Sequence, residues 1–320
     1  MSASLALLMT QILIPALLIS LASLSLADEA PAEKKAPANP NPGRGILDDK
    51  DGHLSKLAEA LLGKNGGDRL FYFPSRDQPY TPEKYGVKYE DVNFKSTDGT
   101  ELHGWFLPCK EGAKKAKATI VFSHGNAGSI AYHYGFIDWL MPAGYNVLLY
   151  DYRAFGKSKG TLSRKGIIED VTAAFKYVAS RKDVDPTKLV SFSHSLGGAK
   201  SVVALAMQPI KGLRAVITDG TFASYKDMAM QKAGQVGANL TTDNYSTINY
   251  IDKLAPIPLL IVHGTQDRTV PVGQAEKLFK KAKEPKTYFK IEDGSHTNSL
   301  NRNNGEYRKK MLAWLSDVLE

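Results

Sequence analysis

A serine hydroxyl is a weak nucleophile at neutral pH. It needs a base to take its proton, and the base needs an acid to orient it. Three short stretches of this chain supply those residue types in that order: Ser195 in SFSHSLGGAK, Asp267 in HGTQDRTVP and His296 in EDGSHTNSL. The first stretch is one residue away from Gly-x-Ser-x-Gly, because Ser193 stands where the first glycine belongs. Ser195 follows the apolar run KLVSFS and precedes LGGAKSVVALAM, which reads as a strand followed at once by a helix. A serine on so sharp a turn exposes its hydroxyl. The helix amino terminus beneath it offers free N–H groups and partial positive charge, and Gly197 and Gly198 let that helix lie close to the strand.

An acyl-transfer serine also needs donors for the oxyanion that forms when it attacks a carbonyl. The backbone N–H of Leu196, directly after the serine, is one candidate. The other comes from VFSHGNAG, with the N–H of Asn126 first and that of Ala127 second. Other titratable residues have weaker cases. His194 adjoins the serine on a tight turn and reads as packing or site lining. His263 reads as a structural histidine at its strand end. Asp151, followed by Tyr152 and Arg153, reads as the anchor of its own loop. Asp219 remains an alternative acid.

These residues require a scaffold that brings strand ends together. VKYEDVNFKST and ELHGWFLPC are strands joined by the turn Thr97 to Thr100, so they must be antiparallel. ATIVFSHG, NVLLYDYR, KLVSFS, AVITDGTF, LLIVHGTQD and TYFKIED are short apolar runs of the kind buried on both faces. Helical patterns fall between them: Ile130 to Pro142, IIEDVTAAFKYVAS, LGGAKSVVALAM, Glu276 to Lys283 and Tyr307 to Val318. The expected fold is α/β: a mostly parallel eight-stranded sheet with an antiparallel start and helices on both faces. Ligands of open sheets sit at the carboxyl ends of the strands. Those ends read SHGNAG, DYRAFG, SHSLGG, DGTF, HGTQD and EDGSH, so the candidate residues converge there.

Composition bounds the alternatives. Of 320 residues, 43% are hydrophobic and 23% charged, which is ordinary globular composition. The net charge of +8 comes from scattered lysines such as Lys110 to Lys117 and Lys280 to Lys286, with no basic helix or aromatic-and-basic stripe, so no nucleic-acid partner is expected. A single cysteine, Cys109, excludes an internal disulfide framework and a multi-cysteine metal site. LDDKDGHLSKLAE resembles a calcium loop superficially, but Leu47 and Ala58 occupy its first and twelfth ligand positions. Residues 1–27 hold no charged side chain and end in Ser25-Leu26-Ala27 before Asp28. That pattern predicts a signal peptide and a secreted or periplasmic protein. The alternative is a membrane anchor over residues 4–27, since about 20 apolar residues span a bilayer. Residues 28–45, rich in Pro, Ala and charge, read as a flexible linker. Residues 46–320 read as one domain with a short helical extension from Leu54 to Leu62.

The succession FYFPSRDQPY, HGWFLPC, VFSHGNAGS, YDYRAFGKSKG, SHSLGGAK, HGTQDRTVP and GSHTN resembles the α/β-hydrolase superfamily. Within it, the compact branch of serine aminopeptidase-like and depalmitoylase-like proteins is similar. The likeness runs over roughly residues 70–316. It implies Ser195 as nucleophile, Asp267 as acid and His296 as base. It implies a serine hydrolase acting on a carboxylic ester, thioester or amide of a small-molecule, acyl or peptide substrate, with no metal or organic cofactor. A dipeptidyl- or aminopeptidase-like activity is second. A hydrolase fold kept for binding is third, resting on Ser193 alone. Serine in place of the elbow glycine carries strain of order 1 kcal/mol. Residues 223–256 leave little material for a lid, with Tyr225, Met228, Met230 and Tyr245 as candidate lining.

Overall fold

The computed structural model describes residues 52–62, 68 and 70–320. The signal peptide and linker expected over 1–45 lie outside the described residues. Two compact units divide the chain: Phe71–Ser224 with Asp243–Glu320, and the described residues up to Leu70 with Tyr225–Thr242.

The larger unit is built on an eight-stranded sheet. In chain order its strands are β2 (Glu90–Lys95), β3 (Glu101–Leu107), β4 (Thr119–Ser123), β6 (Asn146–Tyr150), β7 (Leu189–His194), β8 (Leu213–Asp219), β9 (Leu259–Gly264) and β10 (Lys286–Ile291). They lie in the order β10-β9-β8-β7-β4-β6-β3-β2. The pairs β2–β3 and β3–β6 are antiparallel and the remaining pairs are parallel. Each of the eight expected strands is present. A second ladder, missed by the sequence reading, pairs β1 (Phe73–Pro74) with β5 (Ala127–Gly128) in parallel.

Period-two alternation sorts side chains between the faces. Ile120, Phe122, Val147, Leu149, Val190, Phe192, Ala215, Ile217, Leu260 and Val262 form one buried surface. On it pack Ile137 and Leu140, and Met311 and Leu315 of the last helix, α7 (Arg302–Leu319). The other face receives α3 (Arg164–Ser180) and α4 (Leu196–Met207), which also pack on one another. Central strands covered on both sides are buried throughout and mostly apolar, whereas edge strand β2 alternates exposed and buried residues. Each large apolar side chain so buried contributes about 1.5–3 kcal/mol.

The helix expected from Ile130 to Pro142 is one α-helical turn, α2 (Ile130–His133), continued by a 3-10 turn at Tyr134–Phe136. Beyond it, i→i+3 hydrogen bonds such as Leu140 N–H to the Ile137 carbonyl carry the chain. The segment is crowded with Tyr, Phe, Trp and a glycine, all weaker helix formers than the straight-chain residues. Helix α6 (Gly273–Lys281) flanks β9.

The smaller unit joins α1 (His53–Leu62) to α5 (Tyr225–Asn239), with Asn239 Nδ2 donating to Ser55 Oγ at 2.9 Å. Helix α5 breaks at Ala233 and Gly234, where the backbone leaves helical geometry. Tyr225 and Met228 are buried and Met230 is exposed.

One buried ion pair staples the β6–α3 connection. Arg153 donates from Nε and Nη2 to the Asp170 carboxylate, whose Oδ2 also accepts the Arg153 backbone N–H at 2.9 Å. Its Nη1 reaches Asp98 at 2.8 Å in the β2–β3 turn. Removing one partner of such a pair leaves an uncompensated buried charge. Asp170→Ala is therefore expected to lower stability by about 3 kcal/mol or more, seen as a reduced midpoint in urea unfolding. A midpoint unchanged from wild type would remove this pair from the fold's supports.

Candidate active site

Strand β7 delivers Ser195 to the sheet's carboxyl edge. There the backbone takes φ 54° and ψ −119°, and α4 begins at the next residue. Few non-glycine residues adopt positive φ, and this one is held there from outside. The Ser195 N–H donates to the Asp219 carbonyl at the end of β8 at 2.8 Å, and Thr221 Oγ1 donates to the Ser195 carbonyl at 3.2 Å. Helix α4 starts so close to β4 that a Cβ on Gly197 would fall 2.0 Å from the Ser123 carbonyl oxygen.

The loops after β9 and β10 bring the other two residues to Ser195. His296 Nε2 lies 3.0 Å from Ser195 Oγ, and His296 Nδ1 lies 2.7 Å from Asp267 Oδ2. All three are buried, with relative exposures of 6% for Ser195, 6% for Asp267 and 8% for His296. Asp267 Oδ1 accepts the backbone N–H groups of Thr269 at 2.9 Å and Val270 at 2.8 Å. Burial raises the Asp267 carboxyl, but the charge of His296 and contacts from His263 and His296 outweigh it and hold the group well below the usual carboxylate range. An ionised Asp267 can only accept, so Nδ1 of His296 donates and Nε2 is left to accept the serine proton. Because its folded pKa is depressed, Asp267 stabilises the fold above its unfolded pKa, near 4, and loses that contribution as pH falls through the lower folded value.

The remaining candidates have separate places. The Asp219 carboxylate faces His194, 3.6 Å from its Nδ1, and does not meet His296. That removes Asp219 from contention as the acid, while its backbone carbonyl still holds the elbow. His194 is buried with its ring centroid 4.7 Å from that of His296. Burial holds the His194 imidazole below its ordinary range, with the charge of His296 pushing the same way and Asp219 opposing. Asp151 anchors α2, accepting the Ile130 N–H at 2.9 Å and Gln78 Nε2 at 2.8 Å. His263 touches Asp267, with its Nε2 3.2 Å from Oδ2, a contact the sequence reading did not foresee. The four-residue interval from His263 to Asp267 across the turn Gly264-Thr265-Gln266 was the available signal.

The loop after β4 carries Asn126 beside the serine: a Cβ on Gly125 would stand 3.9 Å from Ser195 Cβ. Three acceptors pin this loop. The Gly125 carbonyl meets His124 Nδ1 at 2.8 Å, the Asn126 carbonyl accepts the Phe73 N–H at 2.8 Å, and the Ala127 carbonyl meets His133 Nε2 at 3.0 Å. A peptide is planar and trans, so fixing the Gly125 carbonyl fixes the direction of the Asn126 N–H. Leu196 is the first residue of α4, and its N–H belongs to the first turn, which has no acceptor within the helix.

With this geometry in view, comparison with known proteins places the chain. Residues 137–320 match the model of the prolyl oligopeptidase family. YfhR of Escherichia coli (strain K12) is 42% identical over 252 residues, covering 78% of this chain and 87% of that protein. The chain belongs to the prolyl oligopeptidase family. It is thus an α/β hydrolase, as its motifs imply. An α/β-hydrolase domain-containing protein of Arabidopsis thaliana, WAV2, is 32% identical over 270 residues, 78% of this chain and 87% of its own length. Among solved structures, the Pyrococcus furiosus esterase Pf2001 shares the fold with a TM-score of 0.64 at 22% identity, over 77% of this chain and all of that one.

Ser193, the departure from the family pattern, is accommodated by the sheet. It pairs with Ser123 of β4 and Thr218 of β8, is fully buried, and donates from Oγ to the Ile217 carbonyl at 3.0 Å. Ser193→Gly removes that hydrogen bond and adds backbone freedom. It is expected to cost about 1–2 kcal/mol of stability while the rate per folded molecule stays within about threefold of wild type. Gly197→Ala, which meets backbone, is expected to lose more than about 2 kcal/mol. Urea unfolding beside active-site titration separates the two effects. A stable but inactive Ser193→Gly protein would give the Ser193 hydroxyl a part in the chemistry.

Proposed function

We propose that this protein is a serine hydrolase that cleaves a carboxylic ester, thioester or amide through an acyl-enzyme on Ser195. The observation that carries the reading is the continuous chain Ser195 Oγ, His296, Asp267, with contacts of 3.0 and 2.7 Å, on a positive-φ turn at the head of a helix. His296 Nε2 takes the Ser195 proton as Oγ bonds to the substrate carbonyl carbon. The N–H groups of Leu196 and Asn126 receive the oxyanion, each such donor being worth roughly 2.7–4 kcal/mol. His296 returns the proton to the departing alcohol, thiol or amine. Water, deprotonated by the same nitrogen, then releases the acid.

Ester or thioester substrates lead. Esterase Pf2001 shares the fold. A peptidase reading stands second because the matched family is the prolyl oligopeptidase family. The binding-only reading rested on Ser193, and its hydrogen bond to Ile217 accounts for that residue without loss of the elbow. The charge-free run 1–27 with Ser25-Leu26-Ala27 supports export.

A fluorophosphonate probe should label the wild type and leave Ser195→Ala unlabelled. Asp267→Asn is expected to lower turnover about ten-thousand-fold. Asp267 stays ionised across the working range, so its protonation does not set the acid limb of the rate profile. Absence of labelling on folded wild type would sink the enzyme reading. p-Nitrophenyl esters of rising chain length, run beside aminoacyl anilides, decide between the ester and peptide readings. Intact mass of the exported protein tests the leader. A chain beginning at Asp28 supports cleavage, membrane-bound full-length chain supports the anchor, and full-length chain confined to the cytosol overturns export.

A further inference from the structure

His263 is fully buried at the end of β9, four residues before Asp267. Its Nε2 lies 2.7 Å from the Val270 carbonyl oxygen and 3.2 Å from Asp267 Oδ2. Both neighbours only accept, so Nε2 carries a proton. The ring's other nitrogen, Nδ1, is buried and has no hydrogen-bond partner. Core packing alone would not aim the ring's polar edge at the carboxylate already bonded to His296.

The contacts around it close on themselves. Val270 receives the His263 proton on its carbonyl and gives its own N–H to Asp267 Oδ1 at 2.8 Å, beside the Thr269 N–H at 2.9 Å. The Asp267 N–H returns to the Gly264 carbonyl at 3.3 Å. His263 therefore fixes the turn 264–270 from inside. It also presents a positive edge to the one oxygen that holds His296. The ionisable groups acting on it are Asp267 on its own loop and Asp219 at the end of β8. His296 on the loop after β10 and His194 at the end of β7 lie beyond them, against Asp267 and Asp219 respectively. Asp219 is occupied with His194, which leaves Asp267 as the carboxylate that His263 serves.

We infer that His263 is a positioning residue for the reaction. It acts through Asp267, clamping the turn that carries the carboxylate and sharing the load on Oδ2, so that His296 Nδ1 is gripped in a fixed direction and with moderated strength. This rests on Ser195, Asp267 and His296 acting as nucleophile, acid and base. Without the His263 edge, Oδ2 would stabilise the protonated form of His296 more strongly. The free base would then be available only at higher pH. The same sign follows whether His263 is neutral or charged, because either form places positive charge against Oδ2.

The test uses the second-order rate constant of fluorophosphonate labelling of the full chain, measured against pH, which needs no knowledge of the natural substrate. His263→Leu keeps bulk and removes the donor. It is expected to slow labelling roughly tenfold to a hundredfold and to move the acid limb up by about one pH unit. His263→Gln places an amide N–H near the same two oxygens and should recover most of the rate and the original limb. A purely structural histidine would lower the unfolding midpoint in both variants and leave the limb where it is, and that result overturns the inference. Nitrogen-15 spectra of histidine-labelled wild type check it without any variant, with His263 protonated on Nε2 as the expected result. A spectrum with the proton on Nδ1 alone overturns it. If wild type labels and His263→Leu matches it in rate and limb, only this inference fails. If wild type does not label, the reading of the triad fails and this inference with it.

Discussion

The arrangement depends on one hydrogen bond between neighbouring strands, from the Ser195 N–H to the Asp219 carbonyl. A residue with a Cβ resists positive φ, at a cost of order 1–3 kcal/mol. The chain passes through that region because its amide is committed to β8, its carbonyl is held by Thr221, and the helix that follows is seated against β4. Relaxing the turn would break the first, vacate the second and lift the third. The strain at the serine is thus held in place by the parallel pairing of the central strands, whose side chains are buried on both faces.

Strand β8 has a larger part than its own side chains imply. Its carbonyls at Ile217 and Asp219 receive the Oγ–H of Ser193 on β7 and the N–H of Ser195 just beyond it. The Ile217 carbonyl gives a serine hydroxyl a partner at a position where the family pattern has glycine. On the other side of the serine, the short β1–β5 ladder and two histidine rings fix three consecutive carbonyls of the loop bearing Asn126. The loop is thus held by its acceptors.

Much of this was legible in the sequence, for physical reasons. Strands buried on both faces are dominated by apolar residues, so KLVSFS and LLIVHGTQD announce themselves, and ligands of open sheets sit at the carboxyl ends, where Ser195, Asp267 and His296 stand. What stayed hidden were contacts whose partners are backbone atoms or lie far apart in the chain. Nothing in FYFPSRDQPY says that Phe73 will pair with Ala127, because a two-residue ladder has no periodicity. Nothing in SHSLGG names the Ile217 carbonyl. The stretch from Ile130 misled in the other direction: its apolar spacing is helical, but its aromatic and glycine content gives turns instead. Asp219 also ends a strand, and what separates it from Asp267 is that it faces His194 while Asp267 meets His296 at 2.7 Å.

Ser195 and His296 are 101 residues apart in sequence, and Asp267, His296 and the Asp219 carbonyl that shapes the serine turn all follow the serine. A chain emerging from the ribosome therefore carries an ordinary alcohol until β8, β9 and β10 have been added at one edge of the sheet. The contact between Ser195, His296 and Asp267 arrives last, as a property of the finished sheet. A fragment or a stalled chain that lacks those strands would leave Ser195 without the partner at its hydroxyl.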